Sequence, residues 1–241
     1  MNEPDRIQHP IARLMSSRSG HFLLESGHHG SLWLDLELLC LDPAAVRPFA
    51  VELAGRLRPY DVEAVCGPLI EGAFVALMVA SELGLTFAYS ERLQQGPGQE
   101  LFRYPYRIPG GLRRLLRDRR VAIVNDVIGA GSAVRGTLAD LEQLGARTVA
   151  LASLMSLGPS AATLAEKNNL AFETLVSPPF DLWTPSECPL CARGEPLVDP
   201  TLPSAGGDRT SVRSRGQARS RQNDLVPDHP DRGTRSPEGS T

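Results

Sequence analysis

Lysine is almost missing from this chain: Lys167 is the single one among 25 basic residues. An anionic ligand would therefore have to be held by arginine, backbone N–H groups or hydroxyls. Long hydrophobic runs are missing too. The longest purely apolar stretch, Ala73–Ala80, ends at Ser81-Glu82, far below the roughly 20 residues needed to cross a bilayer. The opening MNEPDRIQHP has neither the basic start nor the apolar stretch of a secretory signal. Four cysteines in 241 residues are too few for a disulfide framework. A net charge of -3 gives no reason to expect nucleic acid or an anionic membrane as partner. These absences lead us to expect a soluble, cytoplasmic protein with no nucleic-acid and no membrane partner.

What is present suits a globular domain: 41% hydrophobic and 22% charged residues. The composition changes near residue 198. Between Ala205 and Thr241 the hydrophobic residues are Ala205, Val212, Ala218, Leu225 and Val226, set among seven arginines and five acidic residues. Such a segment buries too little apolar surface to offset its ordering entropy. We expect one domain over 1–197 and a disordered tail over 198–241.

Within 1–197, strand-like and helix-like runs alternate. A short leading helix is expected over Ile11–Met15. Phe22–Leu24 and Leu32–Leu36 read as a hairpin around the turn-rich Ser26-Gly27-His28-His29-Gly30. Asp42-Pro43 offers an N-cap and a first-turn proline, although Pro48 suggests that the regular helix begins nearer 48. Strands are expected at Glu63–Cys66, Thr86–Tyr89, Val121–Asn125, Thr148–Leu154 and Phe172–Val176. Helices are expected at Gly72–Leu83, Ser132–Leu144 and Ser160–Asn168, and 92–111 reads as a long loop or extended ribbon. Strands alternating with helices imply an α/β fold, a parallel sheet flanked by helices on both faces.

The chemistry concentrates in VAIVNDVIGAGSA, residues 121–133. An apolar strand runs into Asn125-Asp126, then into the small-residue turn Gly129-Ala130-Gly131-Ser132, then into a helix. In an open α/β sheet, ligands bind at the carboxyl ends of the strands. A turn of small residues lets backbone N–H groups approach a phosphate closely, and the helix adds its positive dipole end. Ser132 can donate its hydroxyl. An acidic side chain just before the turn would face sugar hydroxyls, because a carboxylate accepts hydrogen bonds well.

This segment resembles the phosphoribosyl-pyrophosphate-binding signature of the type I phosphoribosyltransferases. Phe22-Leu-Leu-Glu-Ser-Gly27 followed by Ser31-Leu-Trp33-Leu-Asp35 is similar to the N-terminal hood of the orotate phosphoribosyltransferases, here lying mainly within 10–40. Cys66-Gly67-Pro68-Leu69-Ile70-Glu71-Gly72 looks like the family's pyrophosphate loop, and Tyr89-Ser90-Glu91-Arg92 stands where its flexible catalytic loop begins. The resemblance covers roughly residues 10–180 in one order. It implies a pyrimidine-nucleotide enzyme making orotidine monophosphate and pyrophosphate from orotate and phosphoribosyl pyrophosphate, commonly as a homodimer. Mg2+ would be carried by the substrate, with no direct protein ligand.

Residue by residue, the resemblance implies phosphate binding by Gly129, Ala130, Gly131, Ser132 and Ala133. Ribose would be bound by Asn125 and Asp126, and pyrophosphate by Gly67, Pro68, Leu69, Ile70, Glu71 and Gly72. Glu25, Ser26, Gly27 and Trp33 would form the base side of the hood. Asp126 and Arg92 are the expected catalytic residues. The chain also departs from the family. Asn125 stands where an acidic residue is usual, Glu25 and Glu71 where lysines are common, and Gly129 where a hydroxyl residue usually contacts the base. Arg92, Gln94, Gln95, Gly96 and Pro97, with Arg103 and Arg107 beyond, replace the flexible loop's lysines and histidine. Met155-Ser156-Leu157-Gly158 contains no arginine where one would meet the orotate carboxylate. Two other outcomes are therefore expected as alternatives: transfer to another base, or a non-catalytic module that senses phosphoribosyl pyrophosphate or a nucleotide.

Cys188-Pro-Leu-Cys191 has the spacing of half a zinc site. No second pair lies nearby in sequence, while Cys40, Cys66, His28 and His29 are available in principle. A closing turn after Trp183 and Pro185 is the simpler reading. His28 and His29 could touch a phosphate or base, or be exposed turn residues.

Overall fold

A computed structural model describes residues 9–24, 26–93 and 106–201. A 3-10 turn, Pro10–Leu14, leads into an antiparallel pair, β1 (Ser16–Leu23) and β2 (His29–Asp35), with a bulge between Ser19 and Phe22. Both strands outrun their apolar residues. Ser16–Gly20 is exposed throughout, so its strand conformation comes from pairing with β2 and not from burial.

Helix α1 (Pro43–Leu57) starts at the proline and not near 48. Asp42 accepts hydrogen bonds from Ala44 N at 3.0 Å and Ala45 N at 3.3 Å. Pro48 removes one helical hydrogen bond. The cap, together with the buried face of Val46, Ala50, Leu53, Ala54 and Leu57, outweighs that loss.

The core follows as β3 (Ala64–Pro68), α2 (Glu71–Leu83), β4 (Thr86–Arg92), β5 (Tyr106–Arg107) and α3 (Gly110–Leu116). Then come β6 (Arg120–Ile128), α4 (Ser132–Gln143), β7 (Arg147–Ser156), α5 (Ser160–Lys167) and β8 (Ala171–Val176). The sheet order is β5-β4-β3-β6-β7-β8, parallel except for β5 at its edge. Strand alternation sends Val65, Ala122, Val124, Ala150 and Ala152 to the core beneath α1 and α2. It sends Ala64, Cys66, Val121, Ile123 and Leu151 to the core beneath α3, α4 and α5. The α/β expectation therefore holds strand by strand.

Some elements were not expected. Helix α3 lies in an arginine-rich stretch whose apolar anchors are few, Leu112 and the fully buried Leu116. A short strand, β9 (Leu182–Trp183), joins β2 as a third strand of the hood, followed by a 3-10 turn and helix α6 (Pro189–Ala192). Val198 continues along the hood, its N–H donating to His21 O at 2.8 Å and its carbonyl accepting from Leu23 N at 2.9 Å. The rest of the expected tail, 202–241, lies outside the described residues. Among the described residues, no helix is long and apolar enough to cross a membrane.

Candidate active site

The chain reverses direction across the sheet between β3 and β6: β4 and β5 lie to one side of β3, β7 and β8 to the other side of β6. Such a switch point opens a crevice at the carboxyl ends of the two strands. A cavity of about 340 Å³ lies there. Its floor is Pro68–Gly72 after β3 and Asn125–Val134 after β6, and its far wall includes Leu24, Ser26, Trp33, Phe180 and Thr201.

The floor is set by glycine. A Cβ on Gly67 would meet Ala76 Cβ at 2.6 Å and Gly72 O at 2.7 Å, so β3 and the start of α2 approach closely only without one. A Cβ on Gly72 would overlap Asn125 Oδ1. The expected pyrophosphate loop and the expected ribose residues are thus packed directly on each other. The Leu69–Ile70 peptide is cis, and Leu69 N donates to Ser90 O at 2.8 Å.

Gly131 sits at the N-cap of α4 with φ +77°, a conformation that favours glycine. Among the described residues no side chain caps this helix, so the N–H groups of its first turn stand at the cavity without a side-chain acceptor there. Gly129, Ala130, Ser132 and Ala133 line the cavity around that turn. Arg135 reaches back to Ala130 O at 2.6 Å, bracing the loop from outside. Behind it, Thr137 joins Ala133 O at 2.9 Å and Ser90 Oγ at 2.6 Å, tying α4 to β4.

Asp126 is the most unusual group present. It is 4% exposed, and its Oδ2 has no hydrogen-bond partner among the described residues. Burial pushes its carboxyl up to about 7; the N–H groups of Val127 and Asp126 pull down and nearby Glu71 pushes up. A buried carboxylate with a bare oxygen lining a cavity suits a ligand that brings hydroxyl donors. Asn125 stands differently. Its amide donates to Val127 O at 2.8 Å and its Oδ1 packs at Gly72, so its polar atoms serve the loop's own architecture.

The other expected residues divide. Glu71 opens α2 and lines the cavity. Trp33 is half-buried in the far wall, its Nε1 donating to Asp35 Oδ1 at 2.9 Å. Ser26 lines the same wall, its hydroxyl 3.2 Å from His28 Nδ1, while Gly27 shapes the turn at φ +77° and does not line the cavity. Arg92 is exposed at the end of β4, pairs with Tyr106 of β5, and does not line the cavity. Glu25, Gln94, Gln95, Gly96, Pro97 and Arg103 lie outside the described residues. Cys188 and Cys191 lie against the hood beside His21 and His29, away from Cys40 and Cys66.

Sequence reasoning missed Tyr106, Leu157, Phe180 and Thr201 as lining residues. Tyr106 reaches the cavity by pairing with Arg92, and Leu157 by donating its N–H to Ile128 O at 2.8 Å, contacts that have no local signature. Asp35 and Glu37 also line it, giving with Glu71 and Asp126 four carboxylates and no cation among the described lining residues.

No family model matches the chain. Relatives, however, do. The orotate phosphoribosyltransferase of Thermotoga maritima is 30% identical over 181 residues, covering 75% of this chain and 89% of that protein. The enzyme of the same name from Wolinella succinogenes is 29% identical over 192 residues, covering 75% and 89%. The chain belongs to the orotate phosphoribosyltransferase family. The fold agrees with that membership. An orotate phosphoribosyltransferase structure from Aeropyrum pernix matches with a TM-score of 0.51 at 21% identity, covering 67% of this chain and 87% of that one. An adenine phosphoribosyltransferase structure from Thermoanaerobacter pseudethanolicus gives 0.54 at 18%, covering 69% and 97%. The type I phosphoribosyltransferase sheet is thus common to relatives named for different bases.

Proposed function

We propose that the chain transfers the phosphoribosyl group of phosphoribosyl pyrophosphate to orotate, yielding orotidine monophosphate and pyrophosphate, in the cytoplasm. The observation that carries this reading is the pairing, in one cavity, of the bare Asp126 Oδ2 with the uncapped N-terminus of α4. The 5-phosphate would lie on Ala130–Ala133, where N–H groups and the helix dipole favour an anion. The ribose hydroxyls would donate to Asp126, and pyrophosphate would lie along Gly67–Gly72.

Four carboxylates around an anionic substrate require a counter-charge. Their hard oxygen donors fit Mg2+ bound chiefly through substrate phosphates. When bound, the ion would neutralise charge on the leaving pyrophosphate. The protein's own part is orientation and charge. A ring nitrogen of the base, its proton passing to the departing pyrophosphate or to water, attacks C1 of the ribose as the C1–O bond to pyrophosphate breaks, the bonding pair leaving with pyrophosphate. The ionised Asp126, held in a buried site, stabilises the positive ribosyl centre. Arg92, at the end of β4, would supply a cation to the pyrophosphate, on the same chain or across a homodimer.

A second reading has its own observation. Leu157 lines the cavity after β7, where a carboxylated base would call for a cation. That favours a less polar base. Pyrophosphate release from phosphoribosyl pyrophosphate and Mg2+, measured with orotate, uracil, adenine, hypoxanthine and guanine, separates the readings. Release with orotate supports the proposal, and release with another base alone supports the second. Tight binding without release would identify a sensor.

A further inference from the structure

Outside the cavity, four side chains from distant parts of the sequence converge. His21 Nε2 lies 3.1 Å from His29 Nδ1, 3.4 Å from Cys188 Sγ and 3.7 Å from Cys191 Sγ. Cys191 Sγ is also 3.3 Å from His29 Nδ1, and all four ligand atoms lie within 4.8 Å of one another. A single imidazole nitrogen has one proton or one lone pair, so hydrogen bonding satisfies at most one of its three neighbours here. A cation at the centre satisfies all of them.

We propose that His21, His29, Cys188 and Cys191 bind a structural zinc ion that fastens the segment from Phe180 to Thr201 onto the hood. A tetrahedral zinc bonded at about 2.0–2.1 Å to nitrogen and 2.3 Å to sulfur holds its ligand atoms roughly 3.3–3.8 Å apart, and the four separations of 3.1, 3.3, 3.4 and 3.7 Å lie close to that range. The second ring nitrogen of His21 is oriented for this role. His21 Nδ1 lies 2.9 Å from Glu195 O, and because a carbonyl only accepts, Nδ1 carries the proton and Nε2 presents its lone pair to the cluster. Both cysteines are outside any disulfide. Two thiolates and two imidazoles favour zinc over the hard, oxygen-seeking cations. Four protein ligands close the coordination shell, and none of the four residues lines the cavity, so the ion is structural and not catalytic.

The site's consequence follows from what it fastens. His29 pairs with Trp183, Gly30 with Leu182, and Val198 with both His21 and Leu23. These contacts seat Phe180 and Thr201 in the same wall as Leu24, Ser26 and Trp33. Zinc would thus hold the wall facing the phosphate loop without touching the ligand.

The test is made first on the unaltered full chain, purified without chelators: elemental analysis should find one zinc per chain. Reconstitution with Co2+ should give the strong visible absorption of a tetrahedral thiolate site. Both thiols should resist alkylation until a chelator is added, and the chelator should lower the unfolding temperature. Cys188→Ser and Cys191→Ser should each lose the metal, and Cys40→Ser should keep it. A chain that carries no zinc and shows no cobalt spectrum would overturn the proposal. So would zinc retained in the Cys188→Ser/Cys191→Ser double variant, or a Cys188–Cys191 disulfide in protein prepared under reducing conditions.

Discussion

On the sheet side of the cavity, the lining residues come mainly from two unbroken stretches, Pro68–Gly72 and Asn125–Val134, each spanning the junction of one strand and its helix, with Tyr106 of β5 and Leu157 after β7 beside them. On the hood side they come from Leu24, Ser26, Trp33, Phe180 and Thr201, brought together by pairings such as His29 with Trp183 and Val198 with His21. The sheet side is local in sequence and held by backbone geometry and glycine. The hood side is non-local and held by a few strand bonds and the His/Cys cluster. The first should therefore fail abruptly when one atom is added or one charge removed. The second should loosen by degrees.

The largest expected effect is at the sheet side. Asp126→Ala should lower kcat/KM by about 10²–10³-fold, the usual cost of losing one preorganised electrostatic contact to a transition state. Steady-state kinetics check this, with circular dichroism confirming that the fold persists. Next comes Gly72→Ala, whose Cβ overlaps Asn125 Oδ1. Overpacking there should cost about 1–3 kcal/mol of stability, read by urea unfolding, and should lower activity by displacing the loop.

Asp140→Ala tests the support behind the site. Asp140 accepts from Ile108 N at 2.8 Å and Arg113 Nη1 at 2.6 Å, anchoring the chain that leads into α3 to α4. Leaving a buried N–H unpaired should cost roughly 1–3 kcal/mol. At the hood, Trp33→Ala should raise KM for the base a few-fold while leaving the affinity for phosphoribosyl pyrophosphate nearly unchanged. Equal effects on both ligands would erase the distinction between the two sides.

The same comparison has a pH signature. The carboxyl of Asp126 is raised to about 7 by burial, so its neutral form is favoured in the folded protein. Its contribution to stability is complete below the ordinary carboxylate range and is lost as pH rises toward about 7. Ribosyl-ligand binding should run the other way, strengthening as the carboxylate forms. Calorimetry of phosphoribosyl-pyrophosphate binding between about pH 6 and pH 8 reads this directly, since ionisation at that pKa falls within the window. In Asp126→Asn the dependence should flatten to that of the ligand's own phosphates.

What could be read from the sequence follows the same division. The β6–α4 unit was legible because strand, acid, small-residue turn and helix are contiguous, and strand alternation fixed which side chains enter each core. Asp126 could be named for the same reason. The hydrogen bond from the Asn125 amide to Val127 O, two residues along, was not legible, because nothing in the residue's type or position signals it. Helix α3 and strand β9 were missed because each is short and depends on distant partners. His21 was missed as a ligand because the CxxC motif it meets lies more than half the chain away, and only the hood pairing brings them together.

Orotate-dependent release of pyrophosphate from phosphoribosyl pyrophosphate and Mg2+, with the native chain and Asp126→Ala assayed side by side, tests the central claim most directly. The account predicts release by the native chain that depends on orotate and is nearly abolished in the folded variant. Failure of orotate to promote release by the native chain, or equal rates in the two proteins, would contradict it.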